Sequence, residues 1–326
     1  MKSIMNIKRV KILSFFLIVI SSASAFAYYR HLQIEAASTL TIGTFSQAID
    51  YAPFYIAKHF HWFEPAGSHT SGKVSNIRFK EFSNIGEIQS SLARKQLQVL
   101  FAAEAPVIKL VAQGNSLTIA GISCTLQQDI LVRNSDKIPS IQNLKGKKVA
   151  VLDGTSSHYG LIKILEANKL SPKEISLVTG PPGDIRVAYE AGNIDAWAVW
   201  PPFPQQQIIE GRGRLLSGGE AKIQSVLAFS PHISTRQKLL TLKALDKAKE
   251  WILKNPDEAI DIVSQTLKID PEIVRLSWQK HNWSSTLNDS IVKNDIADKM
   301  LFLQANGFAP SNPNINIDSL LSSGLR

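Results

Sequence analysis

Residues 144–203 constrain the fold more than any other stretch of the chain. Val149-Ala150-Val151-Leu152 is a short, apolar, β-rich run that ends at Asp153-Gly154. It passes through Thr155, Ser156 and Ser157 into a helical pattern, with Leu161, Ile164 and Leu165 at i, i+3 and i+4. Ser171-Pro172-Lys173-Glu174 has the spacing of a capping box with proline in the first turn, and Ile175-Ser176-Leu177-Val178 then reads as a second strand. Asp184 is placed to cap a further helix, with Ile185, Ala188 and Tyr189 on its inner face and Gly192 as its stop. Ile194-Asp195-Ala196-Trp197-Ala198-Val199-Trp200 reads as a third strand, broken by Pro201-Pro202. Parallel neighbours need a crossover connection, usually a helix, so β-α-β-α-β predicts a parallel sheet. Ligands of such sheets bind at the carboxyl ends of the strands.

The corner after the first of these strands has a definite chemistry. The backbone N–H groups that open a helix have no intrahelical acceptor, and the helix dipole puts partial positive charge there. Thr155, Ser156 and Ser157 add hydroxyl donors at the same place. Such a corner suits a small oxyanion without a lysine or arginine, so Gly154, Thr155, Ser156, Ser157 and His158 are candidate ligand contacts. In the third strand Trp197 and Val199 share one face, and Ala198 and Trp200 share the other. One tryptophan therefore belongs to the core. Trp200, nearer the carboxyl end, is the candidate ligand wall, and Phe203 is placed to join it.

The amino-terminal part shows the same order of elements. Leu40-Thr41-Ile42-Gly43 reads as a strand, residues 51–60 as a helix with Pro53 near its start, and residues 77–82 as another strand. Asn84 and Glu87 have capping spacing, and Val99-Leu100-Phe101-Ala102 is a buried-type strand. A helix from Glu104-Ala105-Pro106 carries Val107, Leu110 and Val111 inward and stops at Gly114; residues 117–122 read as a strand. Two loops, 45–47 and 103–106, fall where ligands bind, which makes Gln47 and Glu104 candidates. Glu104 reads in three ways: as partner to an amine on a ligand, as partner to a group on a second lobe, or as a surface acid. Residues 237–307 are helical in pattern and are expected to pack on the first lobe; residues 312–326 form a polar end.

Composition narrows the class. Hydrophobic residues make up 44% and charged residues 19% of 326, an ordinary globular balance in a chain long enough for two cores. The single cysteine, Cys124, excludes an intramolecular disulfide and a cysteine-based metal cluster. Of the net charge of +9, Lys2, Lys8, Arg9 and Lys11 lie in the first 27 residues. With no basic run interleaved with aromatics, the excess argues for solubility rather than nucleic-acid binding. HExxH, Walker A, GxSxG and paired-carboxylate spacings do not occur, so no cofactor and no enzymatic activity are expected. Residues 1–27 are basic and then apolar, with Ala23-Ser24-Ala25 and Ala25-Phe26-Ala27 as cleavage patterns. The apolar part is shorter than the roughly 20 residues of a spanning helix, so a cleaved export signal is expected, followed by a leader over 28–37.

Three motifs carry a resemblance: Leu144-Lys145-Gly146-Lys147-Lys148-Val149-Ala150, Gly154-Thr155-Ser156-Ser157-His158, and Gly192-Asn193-Ile194-Asp195-Ala196-Trp197-Ala198-Val199-Trp200. In order and spacing they resemble the periplasmic binding proteins of ABC importers for aliphatic sulfonates, taurine and nitrate-type ligands. Weaker similarity runs over residues 39–310. Relatives often carry an acid where this chain has Pro201, and another where it has Gln98. The resemblance implies an α/β, two-lobed periplasmic binding protein fold of type II, each lobe a mainly parallel sheet flanked by helices. Residues 38–122 plus 231–326 would form one lobe and 123–230 the other. It implies a periplasmic monomer whose lobes close by a hinge on a small organic anion, most simply an aliphatic sulfonate. The solute would then pass to an ABC permease in the membrane. Matched to the family motif, His158 helps shape the anion corner. The alternative is an enzyme on the same scaffold, resembling the thiamine-pyrimidine synthases. Those need a cysteine-rich segment that one cysteine does not supply, and the leader speaks for export.

Overall fold

One long strand, β4 (Thr118–Arg133), belongs to two sheets. The computed structural model describes residues 39–45, 48–64, 77–287, 289–310 and 320–321; the expected export signal over 1–27, the expected leader over 28–37 and Gln47 lie outside them. The first sheet runs β2 (Ile77–Phe82), β1 (Leu40–Phe45), β3 (Val99–Ala103), β9 (Ala221–Phe229), β4. In it β1 lies parallel to β2 and β3, and β9 antiparallel to β3 and β4. The second sheet continues from β4 through β7 (Ala196–Val199) and β5 (Lys148–Val151) to β6 (Ser176–Thr179). Strand β5 is parallel to both its neighbours, while β7 and β8 (Gly213–Leu215) run antiparallel to β4. A short strand β10 (His281–Asn282) adds to β4 at Leu126 and Thr125.

Helices α1 (Ala52–His59), α2 (Ile85–Ala93) and α3 (Glu104–Ala112) follow β1, β2 and β3. Helices α4 (Ser156–Ala167), α5 (Pro182–Glu190) and α6 (Phe203–Ile209) follow β5, β6 and β7, so the expected β-α-β-α-β unit is present. Helix α5 starts earlier than expected: Pro181 is extended and Pro182 takes the first position, which leaves Asp184 in the first turn rather than at the cap. Helices α7 (Thr235–Lys254), α8 (Pro256–Leu267), α9 (Pro271–Trp278) and α10 (Asp289–Ala305) follow β9 among the described residues. Ser234 and Gln237 form a capping box at the start of α7.

Strand β4 runs well past Ile122, where the sequence placed its end. Gln127, Gln128 and Asp129 interrupt the apolar pattern, yet each has a partner that lets the strand continue. Gln128 donates to the Ser157 carbonyl at 3.2 Å, and Asp129 accepts from Gln127 and from Lys280 Nζ at 3.0 and 2.9 Å. The strand also changes neighbour here, with Gln128 opposite Ala221 of β9 and Asp129 opposite Val199 of β7. Residues 221–229, expected in the second lobe, pair with β3 and β4 in the first sheet.

Each sheet is covered on both faces. Val99, Phe101 and Leu227 of the first sheet pack with Ile56, Ala248 and Val263 of α1, α7 and α8. On the other face Leu100, Ala102 and Val226 meet Ile88, Leu110 and Leu303 of α2, α3 and α10. In the second sheet Val149, Val151 and Ile130 pack with Leu161, Ile164 and Leu165 of α4, and Ala150 and Trp197 pack with Ile185 and Tyr189 of α5. Full burial of each such side chain contributes about 1.5–3 kcal/mol. Helix α4 also reaches the shared strands through Gly160, where a Cβ would lie 2.5 Å from Gln128 Nε2 and 2.9 Å from the Ala221 methyl. Only glycine permits that approach.

Candidate functional site

The carboxyl ends of β3, β5 and β7 meet where the two sheets join, and short contacts tie them together. The Ala105 N–H, in the first turn of α3, donates to Ser156 Oγ, in the first turn of α4, at 3.4 Å. The Ser157 hydroxyl donates to the carbonyl of Ala198, in β7, at 3.0 Å. Trp200 follows β7 and packs against the cores of both sheets, with its ring 6.0 Å from Phe203 and edge-on to it. Trp197 is fully buried in the core, as expected of one of the two tryptophans; Trp200 lies past the end of β7 and, instead of joining the face of Ala198, packs with Phe203 on the cluster that holds Trp197 and Val199.

The start of α4 is built by its own side chains. Thr155 is extended (φ −106°, ψ 170°) and caps the helix; its Oγ1 accepts the His158 N–H at 3.4 Å and donates to the Leu152 carbonyl at 2.7 Å. The hydroxyls of Thr155 and Ser157 therefore brace the loop. What the corner can offer a ligand is the Ser156 hydroxyl hydrogen and the backbone N–H groups of Ser156 and Ser157, which have no intrahelical acceptor. Ser156 and Ser157 are buried, so charge placed there is little screened.

Gly154 and His158 form the flank of this corner. Gly154 has φ +63°, and a Cβ on it would stand 3.0 Å from the Phe308 ring. His158 Nδ1 accepts the Gly154 N–H at 3.4 Å and lies 3.5 Å from Asp153 Oδ1; its ring meets Phe302 and Phe308 edge-on. Burial pushes its pKa down, against the opposing pull of Asp153. The shift favours the neutral ring, and His158 supports the corner by packing against α10 and the residues after it.

Glu104 is not the surface acid that one sequence reading allowed. It is buried, with Oε1 2.8 Å from Lys299 Nζ of α10 and Oε2 accepting the Gln224 N–H at 3.0 Å. Lys299 also pairs with Asp295, one turn earlier on α10. Burial raises the Glu104 pKa, and Lys299 pulls against that rise. Burial likewise opposes the charge on Lys299, but the two carboxylates hold it protonated, above the ordinary lysine value. The pair fixes the first turn of α3 against α10. Lys299 was legible as a lone lysine in the apolar stripe of Ile296 and Leu303, at i+3 and i+7.

Of the eight sequence candidates, Glu104, Thr155, Ser156, Ser157 and Trp200 gather at the junction, Gly154 and His158 flank it, and Gln47 lies outside the described residues. The sequence reading missed Asp50, in the turn Ile49–Tyr51 between β1 and α1. The Asp50 carbonyl accepts from Ser123 Oγ at 3.1 Å and from the Cys124 thiol at 3.5 Å. Burial pushes the Asp50 carboxyl up to about 6, against the lowering effect of Ser225. Its signal was an acid just past a strand's carboxyl end, directly ahead of Tyr51-Ala52-Pro53. Burial also holds the Cys124 thiol well above its ordinary pKa, so it is no ready nucleophile. A separate cavity of about 470 Å³ lies beside β4, β9 and β10; Gln127, Lys222, Gln224, Lys280 and His281 line it, and none of the eight candidates does.

Comparison with known proteins bears on the family and the fold. The model of the NMT1-like family matches residues 34–268. A protein of Bacillus subtilis (strain 168), assigned as an aliphatic sulfonates-binding protein, is 29% identical over 260 residues, covering 74% of this chain and 75% of the relative. Among solved structures, the periplasmic aliphatic sulphonate binding protein SsuA from Escherichia coli superposes with a TM-score of 0.75 at 20% identity, over 88% of this chain and 92% of that one. The alkanesulfonate-binding protein SsuA from Xanthomonas axonopodis pv. citri, bound to MOPS, gives 0.71 at 20% identity, over 87% and 98%. At these identities the solved structures speak for the fold.

Proposed function

The chain belongs to the NMT1-like family, and from that premise we propose that it is the extracytoplasmic solute-binding component of an ABC import system. Its solute is a small organic anion, an aliphatic sulfonate, held where the two sheets meet. The observation that carries this reading is the start of α4, which brings two backbone N–H groups and the Ser156 hydroxyl to the junction and has no acidic residue in its first turn. On this reading the sulfonate accepts from those donors, each bond to a charged group contributing about 1.5–3 kcal/mol. Thr155 and Ser157 act by bracing the loop, Gly154 and His158 by supporting it, and Trp200 forms the wall for the alkyl part. Glu104 sets the position of α3 opposite.

The lobes then divide where β4 changes partner, at Gln128 and Asp129, and again ahead of Ala221, so that β9 belongs to the first lobe. The segments that cross between them serve as the hinge. Contacts from both lobes exist together only in the closed form, so the solute shifts the population toward closure. The chain works as an exported monomer, binds no nucleic acid, and hands its solute unchanged to a membrane permease. It is a binding protein rather than an enzyme, as its named relatives are.

A thermal-shift panel tests the proposal, using alkanesulfonates, sulfate esters, nitrate, phthalate and pyrimidines. A ligand at a hundred times its Kd adds about 2.7 kcal/mol of stability, so a sulfonate that fits should raise the midpoint by several degrees. If no sulfonate shifts the protein while another class does, the assignment of the solute is wrong.

A further inference from the structure

Helix α4 is packed on two sides. Leu161, Ile164 and Leu165 turn one side onto the second sheet. Ile162 is i+4 from His158 and i+3 from Tyr159, so these three share another side of the helix. That side meets the helices of the first sheet: Tyr159 and Ile162 pack against the cluster that holds Leu110 of α3 and Leu303 of α10. A helix that covers only its own sheet needs one apolar stripe. The second stripe of α4 is a contact between the two halves of the molecule, and it begins directly after Ser156 and Ser157.

Tyr159 makes the polar part of that contact. Its ring is 5.6 Å from Phe302 of α10 and edge-on to it, and its hydroxyl donates to Asp298 Oδ2 at 3.4 Å. Lys299 Nζ lies 4.9 Å from the centre of the same ring. An ammonium has three donors. Glu104 and Asp295 engage Lys299 as carboxylates, and the electron-rich face of Tyr159 meets it on a further side. An ion pair that joins α3 to α10 is thus covered by a ring from α4. The contacts close a circuit. Tyr159 reaches Lys299, Lys299 holds Glu104, and the next residue, Ala105, donates to Ser156 at the start of α4.

We propose that Tyr159 is a positioning residue for solute binding: directed at α10 rather than at the solute, it docks the start of α4 onto α3 and α10 and so holds the closed form. This rests on the two-lobed, sulfonate-binding reading above and adds the contact that keeps the lobes shut. When the lobes part, the ring leaves Lys299 and the hydroxyl leaves Asp298, while the Glu104–Lys299 pair stays within the first lobe.

The test compares the mature protein with Tyr159→Leu and Tyr159→Phe. Leucine keeps apolar bulk against Phe302 and removes both the ring and the hydroxyl; phenylalanine keeps the ring. Butanesulfonate is titrated by calorimetry and its binding and release are followed by stopped flow. Tyr159→Leu should weaken binding about tenfold, nearly all of it as faster release, because the solute enters the open form before this contact is made. Tyr159→Phe should stay within about threefold of the parent. A side chain that served only the fold would not divide the two rates in this way. Small-angle X-ray scattering of the ligand-free proteins gives a second reading, and Tyr159→Leu should have a larger radius of gyration than the parent or Tyr159→Phe. The inference is overturned if Tyr159→Leu binds as tightly as the parent, if Tyr159→Phe binds as weakly as Tyr159→Leu, or if all three proteins scatter alike. If butanesulfonate and its shorter homologues fail to bind the parent, the proposed solute is wrong, and the scattering comparison decides this inference by itself.

Discussion

Replacing Lys299 by methionine should strip the cation from a pair whose members are each only 2% exposed. Deleting one partner of a buried pair costs about 3–5 kcal/mol, because the other charge is left in a poor medium. Two features place this variant at the lower end. Glu104 keeps the Gln224 N–H, and its carboxyl can take up a proton instead of remaining charged. The loss therefore depends on pH. In the parent, burial already raises the Glu104 pKa above 4.5 and Lys299 restrains the rise. In Lys299→Met the restraint is gone and the folded pKa climbs further. A carboxyl with a raised folded pKa binds more protons folded than unfolded, so its stability is full below the unfolded pKa and is lost as pH rises through the folded one. The deficit of Lys299→Met should be small at pH 5 and reach about 3 kcal/mol at pH 8. Urea unfolding followed by tryptophan fluorescence at the two pH values measures it, and Glu104→Gln added to Lys299→Met should recover much of the pH 8 loss. A deficit under about 1 kcal/mol at pH 8, or one larger at pH 5, would refute the reasoning.

Three further outcomes are expected. Gly154→Ala should cost about 1–2 kcal/mol in the same urea experiment, because its φ of +63° and the Phe308 ring both oppose a side chain; unchanged stability would contradict the left-handed turn. Ser156→Ala should weaken a bound sulfonate by about tenfold, and more than Thr155→Ala or Ser157→Ala, because only the Ser156 hydroxyl hydrogen is not donated within the loop. Cys124 should resist a thiol reagent until the protein is unfolded, being buried with its pKa held high; stoichiometric labelling of the folded protein would contradict its placement.

The β-α-β-α-β unit was legible because its strands are short apolar runs and its helices carry local caps. Strand β9 was not, since its partners β3 and β4 lie far off in sequence and nothing near residue 221 announces them. The polar residues Gln127, Gln128 and Asp129 hid the length of β4, because what satisfies them comes from α4 and from Lys280. The site shows the same division. Residue types after β5 pointed to this corner as a candidate anion site, but only the fold tells a hydroxyl that braces the loop from one left to donate. Asp50 and Lys299 are single charges in otherwise apolar surroundings. Their meaning depends on whether a counter-charge arrives from elsewhere, and spacing along the chain carries no information about that.

The central claim is that a sulfonate is held by the first turn of α4, at the junction of the two sheets. A crystal structure of the mature protein grown with an alkanesulfonate tests it most directly. The account predicts sulfonate oxygens at about 2.7–3.1 Å from the backbone nitrogens of Ser156 and Ser157, with the carbon chain against Trp200. Sulfonate density in the cavity beside β4, β9 and β10, near Lys222 and Lys280, with the start of α4 vacant, would contradict it.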